Sequence, residues 1–199
     1  MFNKVLRNFY NRGALEVAKE LIGKYLVVNI DNTYIAGRIT EIEAYRGDND
    51  KACHAYPLKK TKRTEIMFKE GGFAYVYLIY GMYYCFNIVV EEENSPCAVL
   101  IRGVDIVLGK EEASRLRYGK GLGELSKYQV KNFSDGPGKL CKAMGIDKNF
   151  NTLDMLGDKI FVADKIEGIE NIAIPIKTSK RIGIDYAEEA KDFLWRFYV

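Results

Sequence analysis

The aromatic run over residues 73–90 constrains the fold of this chain more than any other segment. Residues 75–80 are Tyr-Val-Tyr-Leu-Ile-Tyr, Gly81 follows, and residues 82–90 form a second aromatic and apolar run. Tyrosine and β-branched side chains favour strands, and a glycine between two such runs is typical of a hairpin turn. The run therefore predicts a β-hairpin whose tip lies near Gly81.

Other patterns predict further strands and helices along the chain. Two strand-like runs, Tyr25 to Ile30 and Tyr34 to Tyr45, lie on either side of the turn pair Asp31-Asn32. Helices are predicted over residues 14–22, 109–118 and 135–145, the last with Asp135 as its N-cap, and further strands over 99–104, 159–163, 171–176 and 180–184. Antiparallel pairs dominate this mixture, so the sequence predicts one α+β domain over residues 1–199.

Composition excludes several classes of protein. Hydrophobic residues make up 48% of the 199 residues, which does not suit a disordered chain and supports a substantial core. No apolar run approaches the ~20 residues that a membrane helix needs, and the first residues lack a signal-peptide pattern. We therefore expect a cytoplasmic protein that makes no membrane contact.

The cysteines and the histidine do not form a metal-binding motif. Cys53, Cys85, Cys97 and Cys141 contain no Cys-x-x-Cys pair, and His54 is the only histidine. An ordinary zinc site cannot be assembled from a local motif of this kind. The sequence therefore predicts free thiols in a reducing compartment and no metal.

Two carboxylates share one face of the second predicted strand. Strand alternation places Glu41, Glu43 and Tyr45 on one side and the intervening residues on the other. A polar outer face is the ordinary explanation, but a carboxylate can also activate the water that attacks a glycosidic bond. Side chains at i and i+2 lie ~6.5–7 Å apart, near the carboxylate separation of inverting sugar hydrolases. A carbohydrate glycosidase that uses Glu41 and Glu43 therefore remains an alternative.

Tyr80 lies beside Gly81 at the predicted hairpin tip. A tyrosine at a tip cannot easily bury its ring in its own core. Inserted into a duplex, it could fill the gap left by a flipped nucleotide and offset an unstacking cost of roughly a few kcal/mol. A tyrosine-rich strand that packs against its neighbours is the alternative explanation.

The positions of charges say more than the net charge of +3. The basic cluster at residues 59–63 is a candidate DNA-backbone contact, although surface charges of this kind are common. It contains Lys60, Lys62 and Arg63. Asn87 could contact a base edge, and Arg102 and Lys139 could contact phosphate, or all three could be ordinary hydrogen-bonding residues.

The chain resembles the alkyladenine (3-methyladenine) DNA glycosylase family nearly end to end. The most specific similar segments are Glu41-Ile42-Glu43-Ala44-Tyr45, Ala52-Cys53-His54-Ala55, Met67-Phe68 and residues 75–82. The resemblance implies a single α+β domain with a mainly antiparallel curved sheet, surrounding helices and a protruding β-hairpin. It also implies that neither a metal nor a cofactor is needed.

The resemblance assigns expected roles to single residues. Glu43 would be the general base for water, and Arg102 would help to position that glutamate or its water. Tyr45, His54 and Tyr77 would form the walls of a flipped-base pocket, with Asn87 at its floor and Tyr80 as the intercalating wedge. Lys139 would be a DNA-backbone or a structural contact, and the charges of Lys60, Lys62 and Arg63 make these residues further candidates for DNA-backbone contacts. Residues 56–60 depart from the glycines that relatives often have there, which affects the expected lesion preference.

These expectations describe a monofunctional DNA-3-methyladenine glycosylase of base-excision repair. Its partner would be double-stranded DNA that contains damaged purines: 3-methyladenine, with 7-methylguanine, hypoxanthine and ethenoadenine as extensions. It would act as a monomer, associated with the nucleoid if the source is bacterial, and leave an abasic site. An alternative from another class is a non-catalytic protein that binds DNA lesions.

Overall fold

A computed structural model describes residues 1–170 and 175–199. Strands β1 to β9 of this part are Phe2–Lys4, Tyr25–Ile30, Thr33–Arg46, Ala74–Ile79, Tyr83–Val90, Cys97–Leu108, Ile160–Ile166, Lys177–Ser179 and Arg196–Tyr198. Helices α1 to α5 are Arg7–Tyr10, Ala14–Leu21, Lys110–Tyr118, Lys127–Lys131 and Pro137–Ala143. Short 3₁₀ helices are formed by Glu65–Phe68, Leu122–Glu124, Lys148–Phe150 and Glu188–Asp192.

The strands of the described residues form one antiparallel sheet around β3. Seven of them follow the order β1-β7-β2-β3-β6-β5-β4. Along one edge of β3, β2 pairs with residues 33–38 and β9 with residues 41–43, while β6 pairs along the other edge. β8 in turn pairs with β9. The last part of the chain therefore folds back onto the central strand.

A double irregularity lies in the middle of the β3–β6 ladder. Thr40 of β3 has no partner on β6, and Arg102 of β6 has no partner on β3. Each strand therefore carries one extra residue at this point of the ladder. The strands approach closely there, since a Cβ atom added to Gly103 would lie 3.0 Å from Thr40 Oγ1. Bulges of this kind redirect a nearby side chain. Here the Arg102 guanidinium reaches the face of β3 that carries Glu41 and Glu43.

The main hydrophobic core covers only one face of the sheet. Leu21 of α2 and Leu140 of α5 are fully buried in the same cluster as Ile42 and Phe86. Full burial of such a side chain contributes about 1.5–3 kcal/mol. Because strand side chains alternate, the neighbouring residues of β3 and β5 point to the opposite face. That face carries the polar and aromatic side chains described below.

The structure confirms the predicted α+β class and the antiparallel pairing of most elements. The helix predicted over residues 14–22 occupies Ala14–Leu21, and the predicted hairpin turns through residues 80–82. The strand predicted from Tyr34 to Tyr45 extends to Thr33–Arg46. Strong apolar periodicity and turn residues were sufficient to place these elements.

Two local predictions were wrong, and a third was only partly testable. Gly136, not Asp135, occupies the N-cap position of α5, and the Asp135 carboxylate accepts a hydrogen bond from Lys139 at 2.9 Å. Residues 180–184 do not form a strand, because Gly183 adopts a φ of 75° that is incompatible with extended backbone. For the strand predicted at 171–176, residues 171–174 lie outside the described residues.

Candidate active site

A cleft of about 800 Å³ opens on the face of the sheet opposite the main core. Its lining comes from β3 to β6, the loop after β3, the start of α5 and residues 182–186. Side chains that line it include Tyr45, His54, Arg63, Tyr77, Tyr80, Asn87, Arg102 and Lys139. A largely apolar cleft with a few converging polar groups is the usual form of a small-molecule or base site.

Glu43 lies fully buried on the central strand beside this cleft. Its Oε2 accepts hydrogen bonds from Tyr45 Oη at 2.8 Å and from Arg102 Nη1 at 3.3 Å. Its Oε1 accepts a hydrogen bond from the backbone N–H of Ile182 at 2.7 Å. These contacts occupy three of the roughly four acceptor positions of a carboxylate. Glu43 therefore holds a fixed orientation and retains capacity to accept one more donor, such as a water.

Arg102 joins the two carboxylates of β3. Its Nε donates to Glu41 Oε1 at 2.9 Å, and its Nη1 donates to Glu43. Arg196 of β9 also donates to Glu41 Oε1, at 2.6 Å. Glu41 is thus held between two guanidinium groups. Both hydrogen bonds fix the orientation of the Glu41 side chain on the strand face that it shares with Glu43.

Tyr45 is a neutral hydrogen-bond donor to Glu43. Burial, followed by the negative charge of Glu43 and the hydrogen bond to it, raises the pKa of Tyr45 well above its usual range. The Arg181 guanidinium lies over the Tyr45 ring at 4.6 Å from its centroid. The ring is therefore fixed from one side by a cation and at its hydroxyl by a carboxylate.

His54 and its neighbours form a second wall of the cleft. The Arg63 Nη2 group contacts His54 Nε2 at 3.3 Å, and a guanidinium can only donate, so Nε2 is the acceptor. His54 Nδ1 then carries the proton, which it donates to Tyr75 Oη at 2.9 Å. Burial and the charge of Arg63 lower the pKa of His54 to about 4. The imidazole is therefore neutral at physiological pH.

Tyr77 and Asn87 complete the pocket. The Tyr77 ring packs edge-on against His54, with centroids 4.7 Å apart, and the Arg63 guanidinium lies 4.9 Å from the centroid of the same ring. Burial raises the pKa of Tyr77. Asn87 is buried, and its amide donates to the backbone carbonyl of Tyr75 at 3.1 Å. That bond fixes the Asn87 side chain against the β4–β5 hairpin.

Tyr80 lines the cleft from the tip of the hairpin. It is 81% exposed and adopts a φ of 53°, followed by Gly81 at 68°. Leu78 and Met82 beside it are also exposed. A contiguous exposed patch of this kind often marks a site of interaction with a partner surface.

The four side chains predicted to contact the DNA backbone lie in different environments. Lys60 and Lys62 are exposed, and Lys60 also lies over the ring of Phe68. Lys139 donates to Asn132 and Asp135, so it is partly neutralised. Arg63 differs from the others because its described contacts are to His54 and Tyr77 inside the cleft.

Several residues that shape this site have no local pattern that would indicate their role. The Ile182 amide and the Arg196 side chain reach β3 from the end of the chain, and a buried pair between Asp50 and Arg181 lies behind Tyr45. Tyr75, which lies in the predicted hairpin, was not predicted to contact His54. A related sequence signal is Gly183 beside Ile182, since it adopts a positive φ that favours glycine.

Within residues 1–170 and 175–199, no cluster of three or more His, Cys, Asp or Glu side chains is arranged to hold a metal ion. The same part of the chain contains no helix with the length and apolarity to cross a membrane.

Comparison with known proteins finds one family and many close relatives. Residues 8–199 match the family described as methylpurine-DNA glycosylase (MPG). Relatives with the printed name "Putative 3-methyladenine DNA glycosylase" include a protein of Clostridium novyi (strain NT), 54% identical over 97% of this chain and 93% of its own. Others are from Clostridium perfringens (strain SM101 / Type A), 53% identical over 97% and 94%, and Clostridioides difficile (strain 630), 48% identical over 97% and 98%.

Proposed function

The chain belongs to the methylpurine-DNA glycosylase family, and from this premise we propose that it excises 3-methyladenine from duplex DNA with a water activated by Glu43. The enzyme is a DNA glycosylase, a hydrolase that acts on N-glycosyl bonds in DNA repair. The observation that carries the proposed mechanism is the buried Glu43 carboxylate, held by three donors beside an aromatic cleft.

Each group of the cleft has a role in this reaction. The damaged purine leaves the duplex and stacks among Tyr45, His54 and Tyr77, with Asn87 below it. As the N-glycosyl bond breaks, the sugar becomes oxocarbenium-like, and Glu43 removes a proton from the water that attacks it. The base departs with the bonding electrons, and an abasic site remains. Arg102 holds the Glu43 side chain in its orientation through the hydrogen bond from Nη1.

The aromatic walls also bear on the choice of base. A cationic alkylated purine is attracted to electron-rich ring faces and needs no proton to leave. The neutral His54, with a pKa of about 4, and the tyrosines with raised pKa values are poor proton donors at physiological pH. These three walls of the pocket therefore offer no strong general acid for a neutral leaving group.

We expect 3-methyladenine to be released faster than hypoxanthine, by ~10²-fold or more, since general-acid help of about this size is lacking for the neutral base. The measurement is the single-turnover rate for each base in the same duplex sequence, corrected for spontaneous release. Equal rates would show that a proton donor acts on the neutral base. Extension of the activity to 7-methylguanine or ethenoadenine would be tested in the same series.

Tyr80→Ala should weaken binding to lesion DNA by roughly 5- to 150-fold, the equivalent of about 1–3 kcal/mol of stacking. The chemical rate at saturating enzyme should change much less, because Tyr80 lies at the hairpin tip and makes no described contact with Glu43. Met82→Ala, at an exposed neighbouring position, is the matched control. An unchanged dissociation constant for Tyr80→Ala would exclude the wedge role.

The direct test of the proposed function is incubation of the protein with duplex DNA that contains 3-methyladenine. Release of the free methylated base, with an intact but alkali-labile strand, is the expected result. Lesion-dependent binding without release would instead support a non-catalytic lesion-binding protein. The carbohydrate alternative is disfavoured, because Glu41 and Glu43 lie on one strand and both accept from Arg102.

The basic side chains outside the pocket are proposed contacts with the DNA backbone. Lys60 and Lys62 are exposed and can reach phosphate freely, whereas Lys139 would exchange its contact with Asp135 for one. Arg63 would contribute at the pocket wall as well as to the charge of this surface. Action as a monomer on nucleoid DNA is part of the same proposal.

A further inference from the structure

A buried ion pair lies directly behind the proposed catalytic residues. The Asp50 carboxylate accepts from Arg181 Nη1 at 2.5 Å and from Nη2 at 2.7 Å, and both side chains are fully buried. The two residues are 131 positions apart in the sequence. Burial of two charges is costly, and replacement by apolar residues is often neutral or stabilising. A pair in this position therefore calls for an explanation other than stability.

The contacts of this pair converge on the two sides of the site. Arg181 also donates to the backbone carbonyl of Ala44, the residue between Glu43 and Tyr45, at 2.8 Å. Asp50 accepts from the backbone N–H of Ala52 at 3.0 Å, in the loop that carries His54. The pair thus joins β3, the pocket loop and the returning C-terminal segment.

Two further contacts connect Arg181 to the reacting groups. Its guanidinium lies 4.6 Å from the centroid of Tyr45, whose hydroxyl donates to Glu43. The next residue, Ile182, donates its backbone N–H to Glu43 Oε1. A displacement of Arg181 would therefore move both a wall of the pocket and a donor on the carboxylate.

We propose that Asp50 and Arg181 are positioning residues for the glycosylase reaction, which hold the Ile182 amide and the Tyr45 ring against Glu43. This inference rests on the proposed function of Glu43. The pair acts through other groups and touches neither the water nor the base. The pair affects the rate through the position of the Glu43 carboxylate oxygens. A misplacement of ~1 Å can lower a rate by about 10²-fold.

The test compares Asp50→Asn with Asp192→Asn. Asp192 pairs with Lys180 at the exposed surface of the same C-terminal segment, so its substitution makes the same chemical change away from the site. Single-turnover release of 3-methyladenine at saturating enzyme gives a rate constant for the chemistry and an amplitude for the folded fraction. Lesion-DNA affinity is measured in parallel.

We expect Asp50→Asn to lower the rate constant by about 10²-fold, with affinity within roughly threefold of the wild type and Asp192→Asn unchanged. A lower amplitude with a wild-type rate constant would mean that the pair only stabilises the fold, and would overturn the proposal. If wild-type protein itself releases no methylated base, the proposed function fails instead, and the two failures are thereby distinguished.

A second pair of variants tests the proposal even if the Asp50→Asn protein does not fold. Ile182→Pro deletes the backbone N–H that donates to Glu43, whereas Ile182→Ala keeps it, and the Ile182 side chain is 49% exposed. The proposal requires the proline variant to be at least about tenfold slower than the alanine variant. Equal rate constants would show that the amide does not position Glu43.

Discussion

Glu43→Gln should lower the single-turnover rate of base release by ~10²–10⁴-fold, the usual contribution of a general base. A glutamine has nearly the same size as a glutamate, but its amide is too weak a base to take a proton from water. It also meets three donors, from Tyr45, Arg102 and Ile182. Whichever way the amide is turned, its NH₂ group faces at least one donor, so we also expect a stability loss of about 1–3 kcal/mol.

Lesion-DNA affinity should separate this catalytic loss from a structural one. Glu43 lies beneath the pocket and is fully buried, so binding of the duplex by the hairpin tip and basic residues should persist. Glu41→Gln is the matched control on the same strand face, and its rate should fall by less than about tenfold because Glu41 is not the proposed base. A Glu43→Gln protein with a rate near that of the wild type would exclude the proposed mechanism.

Arg102→Gln should be among the most destabilising substitutions in the site. Glu43 is buried and would lose its only described guanidinium partner, whereas Glu41 would keep Arg196. Removal of one partner from a buried ion pair costs about 3–5 kcal/mol, and the 13% exposure of the Arg102 side chain favours the lower end. The midpoint temperature of thermal unfolding should therefore fall by roughly 6–12 °C for a chain of this size.

A double-mutant cycle with Glu43→Gln tests the cause of that loss. If Arg102 serves mainly to compensate the Glu43 charge, its replacement should cost at least about 2 kcal/mol less when Glu43 is already neutral. Arg196→Gln, which loses contacts with Glu41, Ser179 and the Tyr198 ring but has no described contact with Glu43, is the control. Additive unfolding free energies for Arg102→Gln and Glu43→Gln would contradict the coupling.

The regular part of this fold follows from the pattern of side chains along the chain. Strand alternation predicted that Glu41, Glu43 and Tyr45 share one face. In the structure Arg102 donates hydrogen bonds to both glutamates, and Tyr45 donates one to Glu43. The aromatic run with Gly81 located the hairpin and its exposed tip. These features depend on neighbours in sequence, so local preferences are sufficient to find them.

The remaining parts of the site depend on contacts that no local pattern contains. The reach of Arg102 toward Glu43 follows a bulge that places extra residues at Thr40 and Arg102, and bulges have no firm signature in a single sequence. Asp50 and Arg181 are each unremarkable in sequence and meet only after folding. Arg63 lies in a run of charges that indicates a solvated surface, yet it contacts His54.

The return of the C-terminal segment to β3 has a consequence for the protein during its synthesis. Glu43 obtains the Ile182 donor from 139 residues later, and Glu41 obtains Arg196 from 155 residues later. A nascent chain can therefore build the aromatic hairpin on the ribosome while its carboxylates still lack these donors. Under the proposed mechanism, we therefore expect a chain that lacks Ile182 and Arg196 to release damaged bases much more slowly than the wild type, because its carboxylates are without these two donors.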